Sequence, residues 1–195
     1  MSHNQLSLNK ERLFPHAMCS AHELIIKGKN GIKGNKNIGA YALPAFNVTN
    51  MLGVDAALEA FETLGASGIF AFSNSALKHF GKGDAVQGLE FISGYLKLVT
   101  KNTEIKFATH LDHGDYLSEP GKKVVRAAVA TLTSVMADNS TNHAEKRATE
   151  IEENIEATRQ VVEMAHPLGV SVEGELGVLA GVEDEDTQSE FSTYT

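Results

Sequence analysis

From about residue 40 onward, the chain repeats one rhythm: a short apolar run, a turn, then a stretch with one apolar face. Tyr41 to Phe46 reads as a first strand, with Asn47 at its end. Val54, Ala57, Leu58, Phe61 and Leu64 then recur at helical spacing, and Gly65 stops that helix. Gly68 to Phe72 is a second apolar run, closed by Ser73 and Asn74. The next helix is predicted to begin near Asp84, with Leu89, Ile92, Leu96 and Val99 as its buried stripe. Ile105 to Leu111 makes a third strand, Val124 to Ala130 a helix, and Leu132 to Met136 a fourth strand that ends at Asp138. A long helix is marked by Ile151, Ile155, Val161, Val162 and Ala165 and closed by Pro167 and Gly169. Val170 to Glu175 completes the series as a fifth strand.

Strands alternating with helices predict parallel βαβ units with right-handed crossovers, an α/β fold. Two architectures share this pattern. A (β/α)₈ barrel typically takes about 250 residues, whereas five strands suffice for an open, doubly wound sheet.

Composition narrows the function classes more than the fold. With 42% hydrophobic and 22% charged residues, the 195-residue chain can bury a globular core. No apolar run approaches the roughly 18–20 residues needed to cross a bilayer, so no membrane association is expected. Residues 1–12 are polar and lack a signal-peptide core. Cys19 is the single cysteine, which excludes a disulfide framework and a cysteine zinc cluster. Together these predict a cytoplasmic protein. The net charge of −8, from 17 basic and 25 acidic residues, argues against a nucleic-acid partner. Residues 1–40 hold six of the basic residues, but Lys27, Lys29, Lys33 and Lys36 are interleaved with Gly and Asn and read as a solvated loop. We take 1–40 as an N-terminal extension of helix and loop, and 41–195 as the main domain.

Candidate chemistry gathers at the strand ends: Asn47, Ser73 and Asn74, then His110 with Asp112 and His113, Asp138, and finally Glu173 and Glu175. In a parallel α/β fold every carboxyl end faces the same side, so these residues converge. In His110-Leu111-Asp112-His113, positions 110 and 112 share a face, and a turn afterwards can bring 113 to the same mouth. Imidazoles beside a carboxylate suit zinc ligation, but they equally suit a carboxylate that orients a histidine or carries a proton. Glu173 and Glu175 fall on one face of the fifth strand. Glu183 to Asp186 form an acidic run on a glycine-containing loop, where a base that closes over substrate can sit.

Other features carry less. Gly28, Gly31 and Gly34 lack the Lys-Ser/Thr pair of a phosphate-binding loop. Gly81-Lys82-Gly83 reads as a turn leading into a helix. His166, before Pro167, reads as a helix-end residue, and His3, His16, His22, His79 and His143 have no partner at a telling spacing.

Five segments, in order, resemble the class II, metal-dependent fructose-bisphosphate aldolases and the related tagatose-bisphosphate aldolases. They are Tyr41-Ala-Leu-Pro-Ala-Phe-Asn47, Phe72-Ser-Asn74, His110-Leu-Asp-His113, Ser134-Val-Met-Ala-Asp-Asn-Ser140, and Ser171-Val-Glu-Gly-Glu-Leu-Gly177 with Gly181-Val-Glu-Asp184. The resemblance implies a (β/α)₈ TIM barrel, here incomplete, with about the first five βα units present. It implies zinc as cofactor together with a monovalent cation, a sugar-phosphate substrate, and a homodimer or larger assembly. By this resemblance Asp112 is the proton donor and Glu183 the base. His113, Asp138 and Glu175 hold the metal, and Ser73 and Asn47 lie near the substrate. The family's further zinc histidines and its phosphate-binding segment lie beyond residue 195, so the chain is expected to be an N-terminal portion, inactive alone. The stretch from Asn142 to Thr149 is longer than the family's usual link. The resemblance leaves open a tagatose-bisphosphate aldolase, and a half-barrel of this kind is also compatible with a non-catalytic interaction module.

Overall fold

The computed structural model describes residues 17–31, 39–143, 145 and 147–177. In chain order the elements are helix α1 (Ala21–Asn30), strand β1 (Ala45–Asn47), α2 (Met51–Leu64), β2 (Gly68–Ser73), α3 (Asn74–Phe80), α4 (Ala85–Val99), β3 (Phe107–Gly114), α5 (Glu119–Thr131) and β4 (Ser134–Ala137). A two-stranded hairpin, β5 (Thr141–Asn142) with β6 (Arg147–Ala148), follows, then α6 (Ile151–Ala165), a 3₁₀ turn at His166–Leu168, and β7 (Ser171–Gly174).

Five strands form one sheet in the order β1-β2-β3-β4-β7, every pair parallel. A doubly wound sheet reverses its strand order at a switch point. Here the order never reverses, so the consecutive βα units are those of a barrel. The described strands form an open run of five. This agrees with the incomplete TIM barrel and removes the doubly wound alternative.

Local sequence accounts for the helix boundaries. Asn50, Asp84 and Ser118 each cap a helix N-terminus with a side-chain oxygen, accepting backbone N–H groups that would otherwise lack partners. Gly65 and Gly169 end their helices in the left-handed conformation, at φ 61° and 74°. One helix escaped the sequence pattern. Ser73 does not only close β2; its Oγ accepts Ala76 N–H at 3.2 Å and starts α3 at once.

The core lies between sheet and helices. Strands β2, β3 and β4 are buried on both faces, as parallel strands under helices must be. Phe70, Phe72, Phe107, Leu111 and Val135 face Leu89, Ile92, Leu96, Val125, Val129 and Val161 in one apolar cluster. Phe61, Phe70 and Phe107 stack edge to face, with ring centroids 5.3 Å apart at each step. Ile69 and Ala108, the alternate positions on the same strands, pack with Cys19, Ala21 and Leu24 in a second cluster. That cluster fixes α1 against the sheet, and Met18 adds a parallel bridge to Phe107. The stretch after Asp138 forms the β5–β6 hairpin. Arg147 pairs with Glu145 within it and ties it to Glu153 of α6.

Candidate functional site

The parallel sheet brings all its carboxyl ends to one edge, and six of the seven residues to which the resemblance gives a role lie there. Asn47 ends β1, Ser73 ends β2, Asp112 and His113 lie at the end of β3, Asp138 follows β4, and Glu175 follows β7. Glu183 lies outside the described residues.

His113 depends on a backbone irregularity. β3 runs on past Leu111 to Gly114, where the sequence pattern had ended it, and its pairing with β4 shifts register between Leu111 and Gly114. Within that bulge His113 takes φ 52°, a left-handed conformation that costs a residue with a side chain on the order of 1 kcal/mol. So the redirection of His113 is achieved inside the strand, not by a turn after it. Gly114 permits the close packing: a Cβ there would lie 2.7 Å from the Met136 carbonyl oxygen.

The bulge delivers the His113 ring to Asp138. Nδ1 lies 2.8 Å from Asp138 Oδ2, and Nε2 lies 3.9 Å from Asp112 Oδ1. Asp138 is held on its other oxygen, where Oδ1 accepts Ser140 N–H at 3.1 Å and Ser140 Oγ–H at 2.6 Å. Burial alone raises the Asp138 carboxyl, but hydrogen bonds from His113 and Ser140 outweigh it and leave the group below the usual carboxylate range. Asp138 is therefore an anion at neutral pH, as a metal donor or a partner for an imidazolium must be.

His110 is buried one turn of pleat below Asp112. Its Nδ1 lies 2.8 Å from Ser134 Oγ, and its Nε2 lies 3.5 Å from Glu173 Oε2. Burial pushes its pKa down to about 4, and the His113 charge adds to this while Asp112 opposes it. The ring is neutral at ordinary pH, so the contact with Glu173 is that of a neutral imidazole and not an ion pair.

The remaining candidates are placed less intimately. Ser73 Oγ caps α3 and lies 2.9 Å from Ser75 Oγ, so its hydroxyl already has two neighbours. Asn47 is exposed at the sheet edge. Glu175 sits one residue beyond β7, not within the strand beside Glu173 as the alternation predicted. Its carbonyl accepts Asn154 Nδ2–H at 2.9 Å.

A cavity of about 470 Å³ opens between α3, α4 and α5. Of the strand-end candidates it touches His113 and Asn74, and Lys78, Asp115, Lys123 and His143 also line it. His143, which has no partner at a telling spacing, reaches the lining of this cavity through the β5–β6 hairpin, and no sequence interval signals that.

The donor set tests the implied metal. An imidazole and an anionic carboxylate in contact are proper zinc donors. Yet among the described residues no three His, Cys, Asp or Glu side chains are gathered as a metal site. His113 and Asp138 supply two positions, and Glu175 is not brought to them as a third. No described helix is long and apolar enough to cross a membrane.

Comparison with known proteins agrees with this geometry. The profile of the fructose-bisphosphate aldolase class-II family matches residues 34–195. The chain is 35% identical over 144 residues to a fructose-bisphosphate aldolase of Thermus caldophilus, covering 74% of this chain and 41% of that protein. It is 37% identical over 162 residues to one from Helicobacter pylori strain J99, covering 83% and 47%. A D-tagatose-1,6-bisphosphate aldolase subunit of Klebsiella oxytoca is 32% identical, with 83% and 50% covered. The crystal structure of a Campylobacter jejuni fructose-bisphosphate aldolase superposes with a TM-score of 0.67 at 22% identity, over 85% of this chain and 48% of that one. The chain thus spans about half the length of the relatives it matches. With the family profile covering residues 34–195 and the consecutive parallel strands in place, the chain belongs to the fructose-bisphosphate aldolase class-II family.

Proposed function

We propose that the protein acts as a zinc-dependent aldolase, cleaving fructose 1,6-bisphosphate reversibly to dihydroxyacetone phosphate and glyceraldehyde 3-phosphate. The observation that carries this reading is the His113–Asp138 contact of 2.8 Å with Asp112 beside the other ring nitrogen. The names of the relatives support the substrate class.

In this reading His113 and Asp138 would be donors to zinc, with Glu175 as a further donor. When bound, zinc supplies a Lewis acid that stabilises negative charge developing on the substrate's ketone oxygen. Asp112 takes the proton of the C4 hydroxyl as the C3–C4 bond breaks, and returns it to the aldehyde oxygen in condensation. Glu183 returns a proton to C3 in cleavage and removes it in condensation. Asn47 and Ser73 hold substrate oxygens at the sheet edge. A lone imidazole with carboxylates holds zinc weakly, so the 195-residue chain by itself is expected to show no measurable cleavage.

A second reading, cleavage of tagatose 1,6-bisphosphate, is favoured by the Klebsiella oxytoca relative. Zinc affinity is measured by competition with a chromophoric chelator, and triose phosphate release is assayed from both sugars with and without EDTA. Zinc binding should fall at least about tenfold in His113→Ala. Binding indifferent to that change overturns the metal assignment. Cleavage that survives EDTA and is trapped by borohydride overturns the metal mechanism, and EDTA-sensitive cleavage by the isolated chain overturns the expectation of inactivity.

A further inference from the structure

The candidate metal donors lie at or just past the ends of β3, β4 and β7, and one chain of hydrogen bonds connects the three loops that follow these strands. The Oδ1 of Asn139, a fully buried residue, accepts the N–H of Tyr116 at 3.0 Å, on the loop after β3. Its Nδ2 donates to Thr158 Oγ1 of α6 at 3.3 Å. The Thr158 hydroxyl donates to Asn154 Oδ1 at 3.2 Å, and Asn154 Nδ2 donates to the Glu175 carbonyl at 2.9 Å, just past β7. Asn139 directly follows Asp138, and Tyr116 comes three residues after His113.

The polarity of this chain is fixed by its ends. A backbone N–H only donates and a carbonyl only accepts, so each amide has one orientation that satisfies both neighbours. Turning Asn139 sets its NH2 against the Tyr116 N–H, and turning Asn154 sets its oxygen against the Glu175 carbonyl. The chain also duplicates no strand pairing. Backbone bonds already hold Asp138 N–H to the Gly114 carbonyl at 3.0 Å and Glu175 N–H to the Ala137 carbonyl at 3.4 Å. The side chains extend that register past the strand ends, where the ladder stops and the donors begin.

We propose that Asn139, Thr158 and Asn154 are positioning residues: their hydrogen-bond chain locks the loops after β3, β4 and β7 together, and so sets where the His113–Asp138 pair lies relative to the chain at Glu175. The inference rests on the aldolase reading for what the donors hold. Groups that orient metal ligands without touching the metal change affinity by about 10–100-fold when lost. Helix α6, which packs on β4 and β7, thereby also serves as the fixed bar to which two of the loops are tied.

The test uses the 195-residue protein and Zn²⁺ alone as probe. Thr158→Val removes the hydroxyl at nearly constant volume, and Thr158→Ser keeps it. Two quantities are read: hydrogen exchange of the Tyr116 amide, two links away from Thr158, and zinc affinity, with His113→Ala in parallel. Thr158→Val should speed Tyr116 exchange by about tenfold and weaken zinc by about tenfold, and Thr158→Ser should restore both. Where Thr158→Val does not fold, Asn154→Asp gives the same readings by another route, because it keeps the acceptor toward Thr158 and loses the donor toward Glu175. Unchanged Tyr116 exchange overturns the coupling. Faster exchange with unchanged, His113-dependent zinc affinity shows a structural link only and overturns the positioning role. Zinc binding that ignores His113→Ala overturns the metal assignment itself, and with it the purpose given to the chain.

Discussion

Replacing His110 by asparagine removes a ring whose burial holds its pKa at about 4, against 6.5 for an exposed imidazole. The unfolded chain therefore binds a proton that the folded chain refuses throughout that interval, and stability falls as the pH drops from about 6.5 through 4. The whole shift corresponds to about 3 kcal/mol, at roughly 1.4 kcal/mol per pKa unit. Between pH 7 and pH 5 alone the linkage costs about 2 kcal/mol. Three charged neighbours enter the sum. Asp112 favours the charged ring, His113 disfavours it, and Glu173, 3.5 Å from Nε2, would welcome a proton there. Urea unfolding at pH 7, 6 and 5 measures the effect, and for a denaturant slope of about 2 kcal/mol/M the wild-type midpoint should fall by about 1 M more than that of His110→Asn. The variant starts lower because it loses packing, so the slope with pH is the quantity compared. Equal pH slopes in the two proteins, or an NMR titration of His110 with a midpoint above 6, would refute the reasoning.

Two glycines of α4 should respond oppositely to alanine, as read by thermal or urea unfolding. A Cβ at Gly88 would lie 1.9 Å from the Leu77 carbonyl oxygen of α3, so Gly88→Ala must part the two helices and cost about 1–3 kcal/mol. Gly94 has nothing within 4 Å, and Gly94→Ala should stabilise by about 0.5–1 kcal/mol through helix propensity alone. Phe70→Ala should cost about 3–5 kcal/mol in the same assay, because the ring is fully buried between Phe61 and Phe107.

The sheet was legible in the sequence because its strands are short apolar runs between amphipathic helices, a pattern that parallel packing imposes residue by residue. The convergence of Asn47, Ser73, Asp112, His113, Asp138 and Glu175 on one edge follows from that topology alone. What the pattern hid is local. Helix α3 begins on the residue that ends β2, so Ser73 serves as both terminus and cap with no turn between them. β3 outruns its apolar run because the bulge spends polar residues inside the strand. The pairing of His113 with Asp138 needs that bulge, and no two-residue periodicity encodes one. His143 was invisible for a different reason: the β5–β6 hairpin brings it to the cavity that His113 also lines, and its neighbours in sequence say nothing of that. The link from Asn139 to Glu175 runs through three side chains, one on the loop after β4 and two on α6, each of them unremarkable in the linear sequence.

The unreversed strand order has a consequence for how this chain is made. Each new βα unit pairs with the strand synthesised just before it, so most of the sheet can assemble in step with emergence from the ribosome, with short loops to close at each stage. The N-terminal segment is the exception. Met18 bridges to Phe107, and Cys19 N–H donates to the Phe107 carbonyl at 3.0 Å, so residues made first cannot dock until β3 exists. Among the described pairings this one closes the longest loop, and long loops close slowly. Until it happens, Ile69 and Ala108 lack the cover that Cys19, Ala21 and Leu24 later give them, and a chaperone acting on this nascent chain would find its apolar target there.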